Sequence, residues 1–140
     1  MFHAMAVEER RAENLQVVAE LAVAADAEML TVCRMVLAGV AAGLPVGDEA
    51  LDDLKLVLSE ACASAIEHAD DPQRRIDIAF RVSEGELEVT VRDGWQPPEL
   101  ALSGRGFGRP LLRQLCSRFD VSGHKDGPGT VVRFARTLPA

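Results

Sequence analysis

The stretch Leu54-Lys55-Leu56-Val57-Leu58-Ser59-Glu60-Ala61-Cys62-Ala63-Ser64-Ala65-Ile66-Glu67-His68-Ala69 constrains the fold more than any other part of the chain. Apolar residues at Leu51, Leu54, Leu58, Ala61 and Ala65 recur at three- and four-residue spacing, the period of an amphipathic helix with one face on a core. Glu60, Ser64 and His68 follow one another at four-residue spacing and stack along a second face, with Glu67 beside them. Apolar neighbours hem this polar row. Two arrangements fit it: polar groups looking into a partly enclosed cavity, or a solvated surface of the helix.

The chain's 140 residues suffice for one domain with a sizeable core and are too few for two ordinary ones. A hydrophobic content of 48% with 26% charged residues is globular and excludes a disordered chain. The net charge of −7 repels phosphate backbones and argues against sequence-independent nucleic-acid binding. A local basic cluster of Arg105, Arg109, Arg113 and Arg118 could still meet an anionic ligand. The three cysteines, Cys33, Cys62 and Cys116, have no CxxC spacing and read as free thiols of a reducing compartment. No apolar run has transmembrane length, and Glu8, Glu9, Arg10, Arg11 and Glu13 break any signal-peptide core. A cytoplasmic protein is expected, with residues 1–14 as a flexible arm and 15–140 as one domain.

Along the chain, 15–23 is ambiguous: Val17, Ala19, Leu21 and Val23 alternate as in a strand, while the alanines would suit a helix. Asp26 is a candidate N-cap for a helix over 27–42 with a stripe of Met29, Cys33, Val36, Leu37 and Val40, stopped at Gly43. Asp48 is the candidate N-cap of the long helix, and Asp70-Asp71-Pro72 ends it. Residues 76–82 and 86–92 alternate on either side of Glu84-Gly85 and predict a hairpin with Leu87, Val89 and Val91 inward. The segment 93–108 is a long connection rich in Gly and Pro, of the kind that forms functional lids. Pro110 suits the first turn of a helix through Leu111, Leu112, Leu115 and Cys116. Strands at 119–122 and 130–136 close the chain. The order predicts an α+β two-layer sandwich: a mixed, mainly antiparallel sheet with helices on one face and a glycine-rich lid.

Five places can carry chemistry. Glu60 can act as a general base, or sit in a surface network of charges. Ser64 can offer its hydroxyl to a magnesium ion, or simply allow close packing. His68 suits the helix end and its dipole better than a metal, since no second ligand sits at the right spacing. Asp93 ends a strand and enters a glycine-containing loop, where it can accept a hydrogen bond from an exocyclic amine such as adenine's, or form an Asp-Gly turn. Gly104, Gly106 and Gly108 lead into a helix beside Arg105 and Arg109. Free backbone N–H groups and the positive helix end there favour phosphate.

The segments Ser59-Glu60-Ala61 through Ser64-Ala65-Ile66-Glu67-His68-Ala69, Val91-Arg92-Asp93-Gly94, Gly104-Arg105-Gly106-Phe107-Gly108 with Leu111-Leu112, and Gly129-Thr130-Val131-Val132 follow in an order that resembles the bacterial anti-sigma-factor serine kinases. These belong to the superfamily of ATP-binding domains shared by gyrase, histidine kinases and mismatch-repair ATPases. The resemblance runs from about Val17 to Leu138. It implies Glu60 as general base for an acceptor serine, and Asp93 with Gly94 at adenine, supported by Thr130. It also implies Gly104, Arg105, Gly106 and Gly108 around the phosphates, with ATP and Mg²⁺ as cofactors. Its partners would be a sigma factor, held inactive, and an antagonist protein phosphorylated on serine, with the kinase a homodimer. Nucleic acid and membrane are not implied. Two departures stand out: Ser64 replaces the family's Mg²⁺-binding asparagine, and Trp95-Gln96-Pro97-Pro98 follows Asp93-Gly94 where Asp-x-Gly is usual. Trp95 could stand over a nucleotide or close the edge of the core. The departures leave an alternative, a catalytically degenerate member that acts as a protein-binding regulatory module.

Overall fold

Alternation becomes strand and the three-to-four-residue period becomes helix in the computed structural model, which describes residues 16–103 and 106–139. The arm expected at 1–14 lies outside the described residues, as do Gly104 and Arg105. The strands are β1 (Gln16–Ala24), β2 (Arg75–Ser83), β3 (Glu86–Asp93), β4 (Arg118–Gly123) and β5 (Thr130–Thr137). The helices are α1 (Met29–Ala41), α2 (Asp48–Glu67) and α3 (Gly108–Gln114). Alternation outweighs alanine content in β1, where Ala19, Leu21 and Val23 pack on the core. Val17 does not join them and is 46% exposed. The pairing with β2 slips between Val17 and Ala19, and a one-residue slip exchanges the faces of a strand.

The strands form one sheet in the order β1-β2-β3-β5-β4. All four pairings are antiparallel, so among the described residues the sheet contains no parallel pair. Ser83 opposite Glu86 brackets the expected Glu84-Gly85 turn. β5 returns between β3 and β4 and sets Thr130 directly opposite Asp93. That register brings the end of one motif against the start of another.

Leu54, Val57, Leu58, Ala61 and Ala65 of α2 meet Ile78, Phe80, Leu87, Val89, Val91, Val132 and Phe134 of the sheet in one core. Fully burying a large apolar side chain contributes about 1.5–3 kcal/mol before entropy is counted. The other sheet face is polar, with Glu20, Asp77, Arg81, Thr90 and Arg92 along a concavity. Glu88 also is buried, with Arg118, Arg81 and Arg133 at 3.0, 3.5 and 3.7 Å. Three guanidiniums compensate what would otherwise be a costly buried carboxylate. Arg118 is held above its usual pKa first by its hydrogen bond to Glu86, and burial opposes the shift.

Helix ends differ from expectation by a few residues. The Asp26 carboxylate accepts the Glu28 N–H at 2.9 Å and closes the turn ahead of α1, whose N-cap is Glu28. Gly47 is the N-cap of α2, so Asp48 falls in its first turn with Glu49, where negative charge meets the positive helix end. The helix stops at Glu67, before Asp70, because His68 leaves helical geometry. Its Nδ1 lies 2.9 Å from the Ser64 carbonyl, a helix-end contact. α3 ends at Gln114, short of the expected Leu115 and Cys116.

Cys33 on α1 and Cys62 on α2 are free and buried. The neighbouring Cys33 thiol, and then burial, hold the Cys62 thiol well above its usual pKa. Burial pushes the Cys116 thiol up to about 11. Among the described residues, no helix is long and apolar enough to cross a membrane.

Candidate functional site

α2 carries Glu60, Ser64 and Glu67 at successive turns, and these face a cleft closed on the other side by Leu102, Ser103, Gly106 and Gly108. Most of the polar row therefore looks into a cavity, of about 210 Å³, while His68 turns to the helix end. Gly106 is in the left-handed region, at φ +107°, and a Cβ on it would overlap the Glu60 carboxylate. Glycine there lets the chain pass directly over Glu60.

Asp93 ends β3 and is buried. Its Oδ1 accepts the N–H groups of Trp95 at 3.0 Å and Gln96 at 2.7 Å, which closes an Asx turn. Its Oδ2 accepts the side-chain Nε2–H of Gln96 at 2.9 Å. Gln96 itself is only 1% exposed. The Thr130 hydroxyl donates to the Gln96 carbonyl at 2.7 Å, and the Ser64 hydroxyl donates to Gln96 Oε1. Ser64 Oγ in turn accepts the Leu102 N–H at 2.9 Å. Ser64, Asp93 and Thr130, three residues singled out from the sequence, thus converge on a fourth that was not. Gln96 carries no periodic signal between Trp95 and Pro97-Pro98, and nothing local marks its burial.

The connection after Asp93 is folded down rather than open. Trp95 donates Nε1–H to the Ala65 carbonyl at 2.9 Å, and Arg74 lies 4.8 Å over its ring. The ring packs on the core and ties the connection to α2. Leu100 and Ala101 fold back on the Pro97 carbonyl, and Ala101 and Leu102 are buried. Leu102 has φ +60°, a backbone region that side chains rarely adopt. Arg109 donates to the carbonyls of Ala101 and Pro98, so it clamps this segment rather than facing an anion. The expected basic cluster is dispersed, since Arg113 lies over Phe119 and Arg118 pairs with Glu86.

Glu60, Ser64, Gly106 and Gly108 line one cleft, and Asp93 and Thr130 lie behind it, linked through Gln96. Asp93 and Gly94 border a second concavity, with Arg74, Arg75, Asp77, Arg92, Trp95 and His124. Gly104 and Arg105 lie outside the described residues. No group of three His, Cys, Asp or Glu side chains among the described residues could hold a metal. The Ser64 hydroxyl spends its proton on Gln96 and one lone pair on Leu102, which leaves one lone pair. Ser64→Ala leaves Gln96 Oε1 and the Leu102 N–H without this partner. The expected loss is about 1–3 kcal/mol, measured by urea unfolding.

The chain matches the family described as Histidine kinase-like ATPase domain over residues 23–136. Serine-protein kinase RsbW of Bacillus subtilis (strain 168) is 38% identical over 76 residues, 53% of this chain and 48% of the relative. Serine-protein kinase RsbW of Bacillus cereus (strain AH820) is 30% identical over 104 residues, 74% of this chain and 59% of the relative. The chain thus spans between 48% and 59% of the length of these curated relatives. Among solved structures, the RsbU and RsbW domains of Rv1364c from Mycobacterium tuberculosis match with a TM-score of 0.69 at 20% identity, covering 87% of this chain and 32% of that one. The SiaB-SiaC complex from Pseudomonas aeruginosa matches with a TM-score of 0.60 at 11% identity, covering 96% of this chain and 97% of that one. These two likenesses are of fold. With that family matched over residues 23–136, the chain belongs to the histidine kinase-like ATPase domain family.

Proposed function

We propose that this chain is a cytoplasmic ATP-binding anti-sigma factor and serine kinase, which sequesters a sigma factor and phosphorylates an antagonist protein on serine. The observation that carries the reading is Asp93: a buried carboxylate at a strand end that already accepts an NH₂ group, 2.9 Å away, behind the cleft that Glu60 borders. A carboxylate so placed suits the amine of adenine and disfavours the carbonyl of guanine, since two acceptors cannot bond. The donor set therefore fits ATP in kind. The cleft of about 210 Å³ is small beside the roughly 300–1,000 Å³ of small-molecule sites, so the base needs room that Gln96 now fills.

When bound, ATP supplies the transferable phosphoryl group. Glu60, on the rim, takes the proton from the attacking serine hydroxyl, a role worth about a hundredfold to ten-thousandfold. Asp93 and Thr130 orient the base, with Gly94 in the same motif. Gly104, Arg105, Gly106 and Gly108 form the phosphate lid. Mg²⁺ would come with the phosphates and take few ligands from the protein, Ser64 with its remaining lone pair being the candidate. Exposed Val32 and Met35 on α1, with Val17 and Val18 on β1, are apolar surface for the sigma factor or for a second copy in a homodimer.

Calorimetric titration with ATP and Mg²⁺, followed by phosphate transfer to a serine-bearing antagonist protein, tests the reading. Absence of ATP binding at millimolar concentration sinks it. A second reading, a binding module without catalysis, is favoured by the engagement of Ser64 and Asp93 with Gln96. Under that reading sigma-factor binding persists while no phosphate is transferred.

A further inference from the structure

We infer that Gln96 is an internal occupant of the base site, so that ATP enters only by expelling its carboxamide and lifting residues 97–102 off α2. The inference rests on the reading of this cleft as an ATP site, and deepens it. A primary carboxamide presents an N–H donor beside an acceptor, the same hydrogen-bonding pair as the amine edge of adenine. In Gln96 the donor meets Asp93 Oδ2 at 2.9 Å and the acceptor meets the Ser64 hydroxyl. Every polar group that would read the base is thereby already satisfied. Among the described residues no buried side-chain polar atom lacks a partner. The side chain is 1% exposed, so it fills the interior between α2 and the ends of β3 and β5 and does not merely cover it.

Three further contacts close the same segment. The Leu102 N–H is held by Ser64 Oγ at 2.9 Å, with Leu102 at φ +60°. Arg109 holds the Ala101 and Pro98 carbonyls from the start of α3. Trp95 is pinned to the Ala65 carbonyl next to Gln96. The short side chain at 64 belongs to this device, because a longer one would run into Gln96 Oε1, 2.5 Å from Ser64 Oγ. Ser64 and the reordered loop after Asp93 are thus a single change. A closed form that must open before binding weakens apparent affinity by the fraction of open molecules, so removing the occupant strengthens it.

The test uses the whole chain and its single tryptophan, Trp95, in a protein without tyrosine. ATP is titrated into the unaltered chain and into Gln96→Ala, followed by calorimetry and by Trp95 emission. The expected result is ATP binding about tenfold or more tighter in Gln96→Ala, from loss of the bonds to Asp93 and Ser64. In the unaltered chain, saturating ATP should speed hydrogen exchange at the Leu102 amide, and this measurement stands even where the variant folds poorly. Equal affinity of the two proteins overturns the inference and leaves the ATP site intact. So does a Leu102 amide that is unchanged or protected at saturating ATP. ATP binding by neither protein overturns the inference together with the ATP reading beneath it.

Discussion

Glu60→Gln is expected to lower phosphate transfer by about a hundredfold to ten-thousandfold while leaving ATP affinity within about threefold. Glutamine keeps the shape of glutamate and loses the basic oxygen, so a proton from the acceptor serine has nowhere to go. Among the described residues, Glu60 makes no side-chain hydrogen bond or ion pair within the protein; its neighbour across the cleft is Gly106. Its replacement should therefore change stability by no more than about 0.5 kcal/mol. This combination separates a catalytic group from a structural one. A serine-phosphorylation assay run beside calorimetry measures both sides of it, and unchanged transfer in Glu60→Gln removes Glu60 from the mechanism.

Gly129→Ala should be among the most damaging single changes in the chain, costing about 3–5 kcal/mol and lowering the melting temperature by roughly 10–17 °C. Gly129 has φ +118°, and a Cβ there would overlap the Asp93 carbonyl and lie 2.7 Å from the His124 ring and 2.8 Å from the Gly94 Cα. Two of those three obstacles are backbone and cannot swing aside. The strand end that Gly129 touches carries Asp93, and the next residue is Thr130, so the change also disturbs the hydrogen bonds around Gln96. Gly127→Ala is the matched control, because a Cβ at Gly127 meets nothing within 4 Å. Thermal unfolding of the two variants should separate them by most of the predicted shift.

Much of the architecture was legible because it is local. The stripe of Leu54, Leu58, Ala61 and Ala65 announced α2, alternation announced the β2–β3 hairpin, and Gly129 before Thr130 marked a turn into β5. Asp48 and Asp26 were misplaced by a residue or two, since several polar residues at a helix start can cap it equally well. The Glu60–Ser64 row was visible as a row, and the cavity it faces was one of two arrangements its spacing allowed.

What stayed hidden depends on contacts between distant parts of the chain. Gln96 reaches Ser64 and Thr130 from sequence positions 32 and 34 residues away, and its neighbours give no hint of either partner. Arg109 beside glycines looked like an anion ligand, yet carbonyls of the preceding connection took its guanidinium first. Glu88 interrupts no pattern on its strand, and it is compensated in the interior by three arginines from three other strands. Serine at 64 and the loop after Asp93 read as two departures from the family pattern. In the fold they touch.

The central claim is that Asp93 reads adenine at the inner end of the α2 cleft. Titrating ATP and GTP into the unaltered chain and into Asp93→Asn measures this most directly, because asparagine places a donor where the amine needs an acceptor. The account predicts saturable ATP binding, distinctly weaker GTP binding, and a loss of about ten- to a hundredfold in ATP affinity for Asp93→Asn. No ATP binding at millimolar concentration, or equal binding of ATP and GTP by both proteins, would contradict it.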